Sequence, residues 1–177
     1  MITFIARRLA MNLKAMVPNH PASVEVLRFA LEAIVNGVLI VGLSLLVSWP
    51  LGVTQEVAIA LVMFAVLRQM SGGYHLKSGI ACVIVSTAII LLVSLVPLDK
   101  TMIWVANAIS VLLCLLFAPS KIEKQTRIPP KYFPILKISS SILVAANFLI
   151  GSSVLAATFL VQSLSLVHFG AKGGTGK

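Results

Sequence analysis

The chain has 177 residues, 59% of them hydrophobic and only 11% charged, with a formal net charge of +9. A soluble domain carries about 25% charged residues, so the composition excludes an ordinary water-soluble globule. It indicates an all-α integral membrane helical bundle, one domain of several spans with no length left for a separate soluble domain. Its two cysteines, Cys82 and Cys114, lie in different apolar segments, which excludes a disulfide framework and a zinc spacing.

Residues 1–28 read as an amphipathic lead. Ile2, Ile5, Leu9, Leu13 and Met16 recur at helical spacing while Arg7, Arg8 and Lys14 take other faces, the pattern of a helix lying in the interface among anionic headgroups. Arg7 and Arg8 also interrupt the apolar run that a secretory signal needs, and no small-residue cleavage site follows. Pro18 and Pro21 end the lead, with His20 between them as a loop histidine.

The membrane domain is expected over residues 29–169. Phe29 to Trp49 forms the first span, with Glu32 and Asn36 near its start, and Pro50, Gly52 and Thr54 make a tight turn. Val53 to Leu67 is a second span, short enough to stand upright or thin the bilayer. A polar stretch from Arg68 follows. Gly79 to Val96 is the third span, Pro97-Leu98-Asp99-Lys100 its turn, and Thr101 to Ala118 the fourth. Residues 119–137 form a second polar loop with Pro119, Pro129, Pro130, Pro134 and five cations. Ile138 to Phe169 is apolar for longer than the roughly 20 residues one span needs. A reversal at Gly151-Ser152-Ser153 gives two short spans and a total of six, and one long tilted helix is the rival, with five. His168 reads as an interfacial residue. Residues 170–177 are a flexible tail that resembles a phosphate loop only at a glance, because the first required Gly is Ala171.

With six spans, every Lys and Arg except Lys100 falls on one side, thirteen of the fourteen. The positive-inside rule makes that side cytoplasmic. The N-terminus, both polar loops and the tail then face the cytoplasm from the cell membrane. Topology accounts for the +9, and nucleic acid is not expected as a partner. A five-span chain would move only Lys172 and Lys177.

The stretch from Arg68 to Cys82 holds a His and a Cys seven positions apart, a Gly pair, an Arg and a Lys. Cysteine chemistry needs a thiolate, a base that keeps it so, and a group that stabilises an oxyanion. If Ser78 is the N-cap of the third span, Cys82 lies in its first turn, where the helix dipole favours an anion. His75 is the base nearest in sequence. Seven residues of continuous helix would separate the two side chains by about 10 Å along the axis, so a dyad requires His75 to lie outside the helix and fold back. Gly72-Gly73 before it and Ser78-Gly79 after it are residue types that allow such a turn. Arg68, Gln69, Gly72, Gly73 and Ser78 are the substrate or oxyanion candidates, by side chain or by backbone N–H. Ser86, one turn past Cys82, reads as a back-bonded helix serine and as a secondary candidate. Tyr74 and Lys77 read as interfacial anchors. No metal site and no cofactor are expected.

Arg68-x-x-x-Gly72-Gly73-x-His75 followed by Cys82 resembles the signature of the accessory gene regulator B (AgrB) family. The Ala118-Pro119 loop with its cations and prolines is similar to that family's second cytoplasmic loop, although Lys124-Gln125-Thr126-Arg127-Ile128-Pro129 departs from the usual Asn-Lys-Pro-like run. The resemblance covers essentially the whole chain. It implies a membrane cysteine endopeptidase of quorum sensing that removes the C-terminal tail of a short propeptide and promotes its cyclisation to a thiolactone or lactone. By this match Cys82 is the nucleophile and His75 the base. The partners implied are a propeptide with an amphipathic leader and an acidic tail, membrane lipids and, as an option, a second copy forming a homodimer. The alternative is a non-catalytic transporter subunit or scaffold in which Gly72-Gly73 is a hinge, against which stands the lack of paired intramembrane charges.

Overall fold

The computed structural model describes residues 2–19, 21–73, 78–120 and 129–167. It is all-helical over these residues: α1 (Ile2–Met16), α2 (Val24–Leu51), α3 (Thr54–Ser71), α4 (Gly79–Leu95), α5 (Lys100–Phe117), α6 (Phe133–Ala145), α7 (Asn147–Ile150) and α8 (Ser153–Leu164), with one 3-10 turn at Pro130–Tyr132. Two compact units divide the chain, Met1–Val57 with His75–Leu92 and Ala58–Tyr74 with Val93–Lys177.

In the first unit α1 packs on α2. The face α1 buries takes only Ile2 from its apolar stripe. Ile2, Ala6 and Ala10 turn inward, whereas Ile5, Leu9, Leu13 and Met16 are exposed. Periodicity finds the apolar residues but cannot say which neighbour they meet. A ridge of alanines lets two helix backbones approach closely, and the bulkier side chains are left facing outward, as an interfacial helix needs.

The long helix α2 begins at Val24, five residues before the expected start. Ser23 caps it, its Oγ accepting the Val26 N–H at 3.3 Å. Arg28 pairs with Glu25 at 2.8 Å and Glu32 at 2.9 Å, so the charges of the first turns neutralise one another along the helix. At the other end Pro50 sits inside the helix rather than in the turn. The reversal comes at Gly52, left-handed at φ 70°, whose N–H caps Ser48 and Trp49.

In the second unit α6 and α8 both pack on α5. Asp99 starts α5, its Oδ1 accepting the Met102 N–H at 2.8 Å. Near that end Ser153 Oγ accepts the Leu98 N–H at 2.8 Å, and near the far end Ser163 Oγ lies 3.5 Å from Cys114 Sγ. Helix α8 therefore runs parallel to α5. Helix α6 runs the other way: Ser140 also reaches Cys114, and Asn147 donates to Asn107 at 3.1 Å. The chain reverses where Gly151-Ser152-Ser153 predicts. Gly151 is left-handed and donates to the Asn147 carbonyl at 2.8 Å, Asn147 Oδ1 accepts the Ser152 N–H at 3.0 Å, and Ser152 caps α8. One long tilted helix is excluded.

This unit has a mixed interior. Leu67, Cys114, Val144, Leu155 and Phe159 form its apolar cluster, but Asn107, Ser110, Asn147, Thr158, Gln162 and Ser163 are fully buried too, while Leu116, Ile142 and Leu149 face outward. Small and polar residues inside with aliphatic residues outside is the arrangement lipid imposes, because hydrocarbon solvates leucine well and an amide badly. Val24–Leu51, Lys100–Phe117 and Pro130–Ile150 are long and apolar enough to cross a membrane, and α4 and α8 are shorter apolar helices. In α3 only the segment from Val57 to Leu67 is free of charge, between Glu56 and Arg68.

Candidate active site

Cys82 lies in the first unit, in the opening turn of α4. Ser78 is the cap: its Oγ accepts the Ala81 N–H at 3.4 Å, and its carbonyl accepts the Cys82 N–H at 2.9 Å. The first amides of a helix have no partner within it, so with Ala81 capped and Cys82 bonded, those of Gly79 and Ile80 are the ones the helix leaves unbonded. They point along the positive end of the dipole, which lowers the cost of a thiolate nearby. Ser78 thus acts first as a cap. The Cys82 side chain is buried, with Sγ 4.0 Å from Ser86 Oγ one turn on. The Asn36 amide of α2 lies against Gly79, where a Cβ would meet its Oδ1 at 3.2 Å. That oxygen is buried and has no hydrogen-bond partner among the described residues.

His75, the expected base, lies outside the described residues, as do Tyr74, Lys77, His20, His168, the run from Lys124 to Ile128 and the tail.

The Arg68 end of the motif belongs to the second unit and is held by side chains distant in sequence. Gly72 and Gly73 have φ of 72° and 133°, in the left-handed half of conformational space where a Cβ is strained. The Gly73 N–H donates to the Ser120 carbonyl at 3.1 Å and the Ser120 N–H to the Ser71 carbonyl at 2.8 Å, so the residue just after Ala118-Pro119 is stitched to the Gly pair. From α8, Gln162 Nε2 donates to the Gly72 carbonyl at 2.8 Å and to Ser71 Oγ at 3.2 Å. Its Oε1 accepts from Arg68 Nη1 at 3.3 Å, with Ser165 Oγ 3.3 Å away. The Arg68 guanidinium also lies 5.9 Å from the Phe64 ring centroid, within cation–π range. Gln69, within the last turn of α3, is exposed.

The structure therefore gathers Arg68, Gly72 and Gly73 with Ser71, Ser120, Gln162 and Ser165, and gathers Cys82 with Ser78 and Ser86. Sequence reasoning missed Gln162, Ser165 and Ser120, which contribute through contacts dozens of residues away. One available signal was that Gln162 is the sole amide in α8, whose other polar side chains are small hydroxyls. Among the described residues no three His, Cys, Asp or Glu side chains gather as metal ligands would.

A family model for accessory gene regulator B matches residues 2–170. The chain belongs to the AgrB family. The match spans every candidate site residue and both polar loops, so the short signature around Gly72-Gly73 sits in a whole-chain likeness. AgrB membership and the apolar helices make this a membrane protein, and the general activity of the family is processing of quorum-sensing propeptides. Neither the curated proteins nor the solved structures compared with the chain give a match.

Proposed function

We propose that this AgrB protein is a cysteine endopeptidase that removes the C-terminal tail of a propeptide and passes the acyl group to a ring-closing nucleophile within the same peptide. The observation that carries the reading is Cys82 in a Ser78-capped first helical turn, within a chain that matches the family almost end to end. In this mechanism His75 takes the thiol proton, and the Cys82 thiolate attacks the carbonyl at the cleavage point. The amides at the start of α4 receive the developing oxyanion. As the tetrahedral intermediate collapses, His75 returns the proton to the departing amine of the acidic tail. A thioester to Cys82 remains. A propeptide Cys or Ser then attacks it, giving its proton to His75; Cys82 leaves as thiolate, and a thiolactone or lactone is formed. Hydrolysis would give a linear acid instead, so the site must hold the peptide folded and keep water away. Arg68 orients the propeptide through its planar, bidentate fork.

The Gly-Gly hinge alternative draws no support from the geometry, since both glycines are bonded to Ser120, Gln162 and Arg68. The direct test uses synthetic peptides with an amphipathic leader, an internal cysteine and an acidic tail, incubated with the full-length protein in anionic vesicles and quenched in acid. Mass spectrometry is expected to find an acyl adduct on Cys82 that hydroxylamine releases. An adduct on Cys114, or cleavage with none on Cys82, would overturn the mechanism.

The proposed topology has six spans with the N-terminus and active site in the cytoplasm. It rests on the charge split that isolates Lys100 and on the reversal at Gly151. In a background lacking the native cysteines, a cysteine at Asp99 is expected to react with an impermeant maleimide from outside. Cysteines at Lys77 and Lys124 should react only after the membrane is opened. External labelling at Lys77 would rule out both the topology and a cytosolic protease.

A further inference from the structure

Gln162 is fully buried in a helix that otherwise offers only alkyl, aromatic and small hydroxyl side chains. A primary amide is a costly filler for such a place unless all of its hydrogen-bonding capacity is used. Here both donors and the acceptor are engaged: the N–H groups reach Gly72 O and Ser71 Oγ, and the oxygen accepts from Arg68, with the Ser165 hydroxyl, which donates to the Gln162 backbone carbonyl, 3.3 Å away. The orientation of the amide is also fixed. Flipped, its NH2 would face the Arg68 donor and its oxygen the Gly72 carbonyl, two like-to-like contacts. Gly73 leaves room for the neighbouring Ser165 hydroxyl, which a Cβ there would meet at 2.6 Å, while Arg68 Nη1 and Gln162 Nε2 would lie at contact distance, 3.4 Å.

We propose that Gln162 is a positioning residue of the propeptide reaction, holding the Arg68 guanidinium and the left-handed Gly72-Gly73 corner in one fixed relation so that Arg68 meets the substrate correctly aimed. This rests on the reading of Arg68 as a substrate-orienting group. A leucine would fill the same space, and loss of the amide would let the guanidinium and the corner relax independently.

The experiment uses the full-length protein in anionic vesicles and, from the peptide set above, the one the wild type cleaves fastest. Gln162→Leu is expected to lower kcat/KM by about tenfold or more, as loss of buried hydrogen bonds to a charged group does. Thr158→Val, one turn earlier on α8, removes another buried hydroxyl and is expected to change nothing. Arg68→Lys keeps the charge and loses the fork, so it impairs cleavage by itself. Combined with it, Gln162→Leu should add less than about threefold, because both changes act on one contact and their effects do not multiply. Gln162→Glu supplies the readout for a variant that folds with the wild-type shape. Its carboxylate keeps the acceptor toward Arg68 but presents an oxygen to the Gly72 carbonyl, and protonation restores a donor. Its activity relative to wild type should therefore rise as pH falls.

Wild-type kcat/KM in Gln162→Leu, or fully multiplicative effects with Arg68→Lys, would overturn the proposal. Should Gln162→Leu not accumulate in the membrane, a Gln162→Glu to wild-type ratio that ignores pH overturns it equally. Absence of a Cys82 adduct in the wild type is a different result, and it strikes the underlying mechanism rather than this role.

Discussion

Replacing Cys82 with alanine is expected to leave the protein in the membrane and to lower propeptide cleavage by roughly three orders of magnitude or more, as removal of a nucleophile does. The side chain is small and lies in a helix whose cap and first hydrogen bonds come from Ser78, not from the thiol, so the fold has little to lose. Cys82→Ser should be nearly as inactive. A hydroxyl is a far weaker acid than a thiol and a poorer nucleophile at neutral pH, so a neighbouring base does not make serine a substitute. His75→Ala should also fail at neutral pH, and the sign of its pH dependence follows from the thiol. With the base removed, hydroxide from solution can take the proton in its place, so residual activity should climb with pH. Cys114→Ala is the matched control. That thiol is fully buried beside Ser163, and its loss should cost about 1 kcal/mol of stability with cleavage intact. Peptide cleavage measured by mass spectrometry, with membrane content checked by blot, decides the series. Normal processing by Cys82→Ala would remove this residue from the chemistry.

The second large effect is expected at Gly73. Alanine there meets two separate penalties. A φ of 133° lies where residues with a Cβ are strained, by about 1–3 kcal/mol, and the new methyl would stand 2.6 Å from Ser165 Oγ. Ser165 cannot move without cost, since its hydroxyl donates to the Gln162 carbonyl at 2.6 Å. The corner must shift instead, and with it the Ser120 and Gln162 contacts that hold it beside Arg68. Gly73→Ala should therefore lose most of its cleavage activity and lower the thermal midpoint in detergent. Adding Ser165→Ala removes the clash and leaves the strain, so the double variant should recover part of the stability. Gly42→Ala, at a position with open space around it, should recover nothing because it loses nothing. Wild-type cleavage by Gly73→Ala would mean that the corner's geometry is immaterial to the reaction.

What could be read in the chain and what could not divide by range. The Ser78 cap, the turn at Pro97–Lys100 and the break at Gly151 are local: the groups that make them lie within a few residues, and the residue types announce them. The start of α2 was misplaced because Glu25, Arg28 and Glu32 look like a polar boundary until they are seen to pair along one helix face. The face by which α1 packs was not legible, because periodicity picks out the bulky apolar residues and the buried positions are Ile2, Ala6 and Ala10. Membership in AgrB was legible from Arg68, Gly72, Gly73, His75 and Cys82, which the family match over residues 2–170 bears out. The support for the Gly pair was not, since Gln162 stands ninety positions from Gly72.

The reversal at Gly151 has a consequence for how this sequence can drift. It fixes where α8 begins, and Ser152 and Ser153 moor that end to Asn147 and Leu98. Ten residues later Gln162 must arrive beneath Gly72, about 15 Å along the axis. The stretch between works as a spacer whose phase is set at both ends. Its alkyl side chains can be exchanged for others of similar bulk, but adding or deleting one residue would swing the amide by about 100° and aim it away from Arg68. In this segment the count of residues is under tighter physical constraint than their identities.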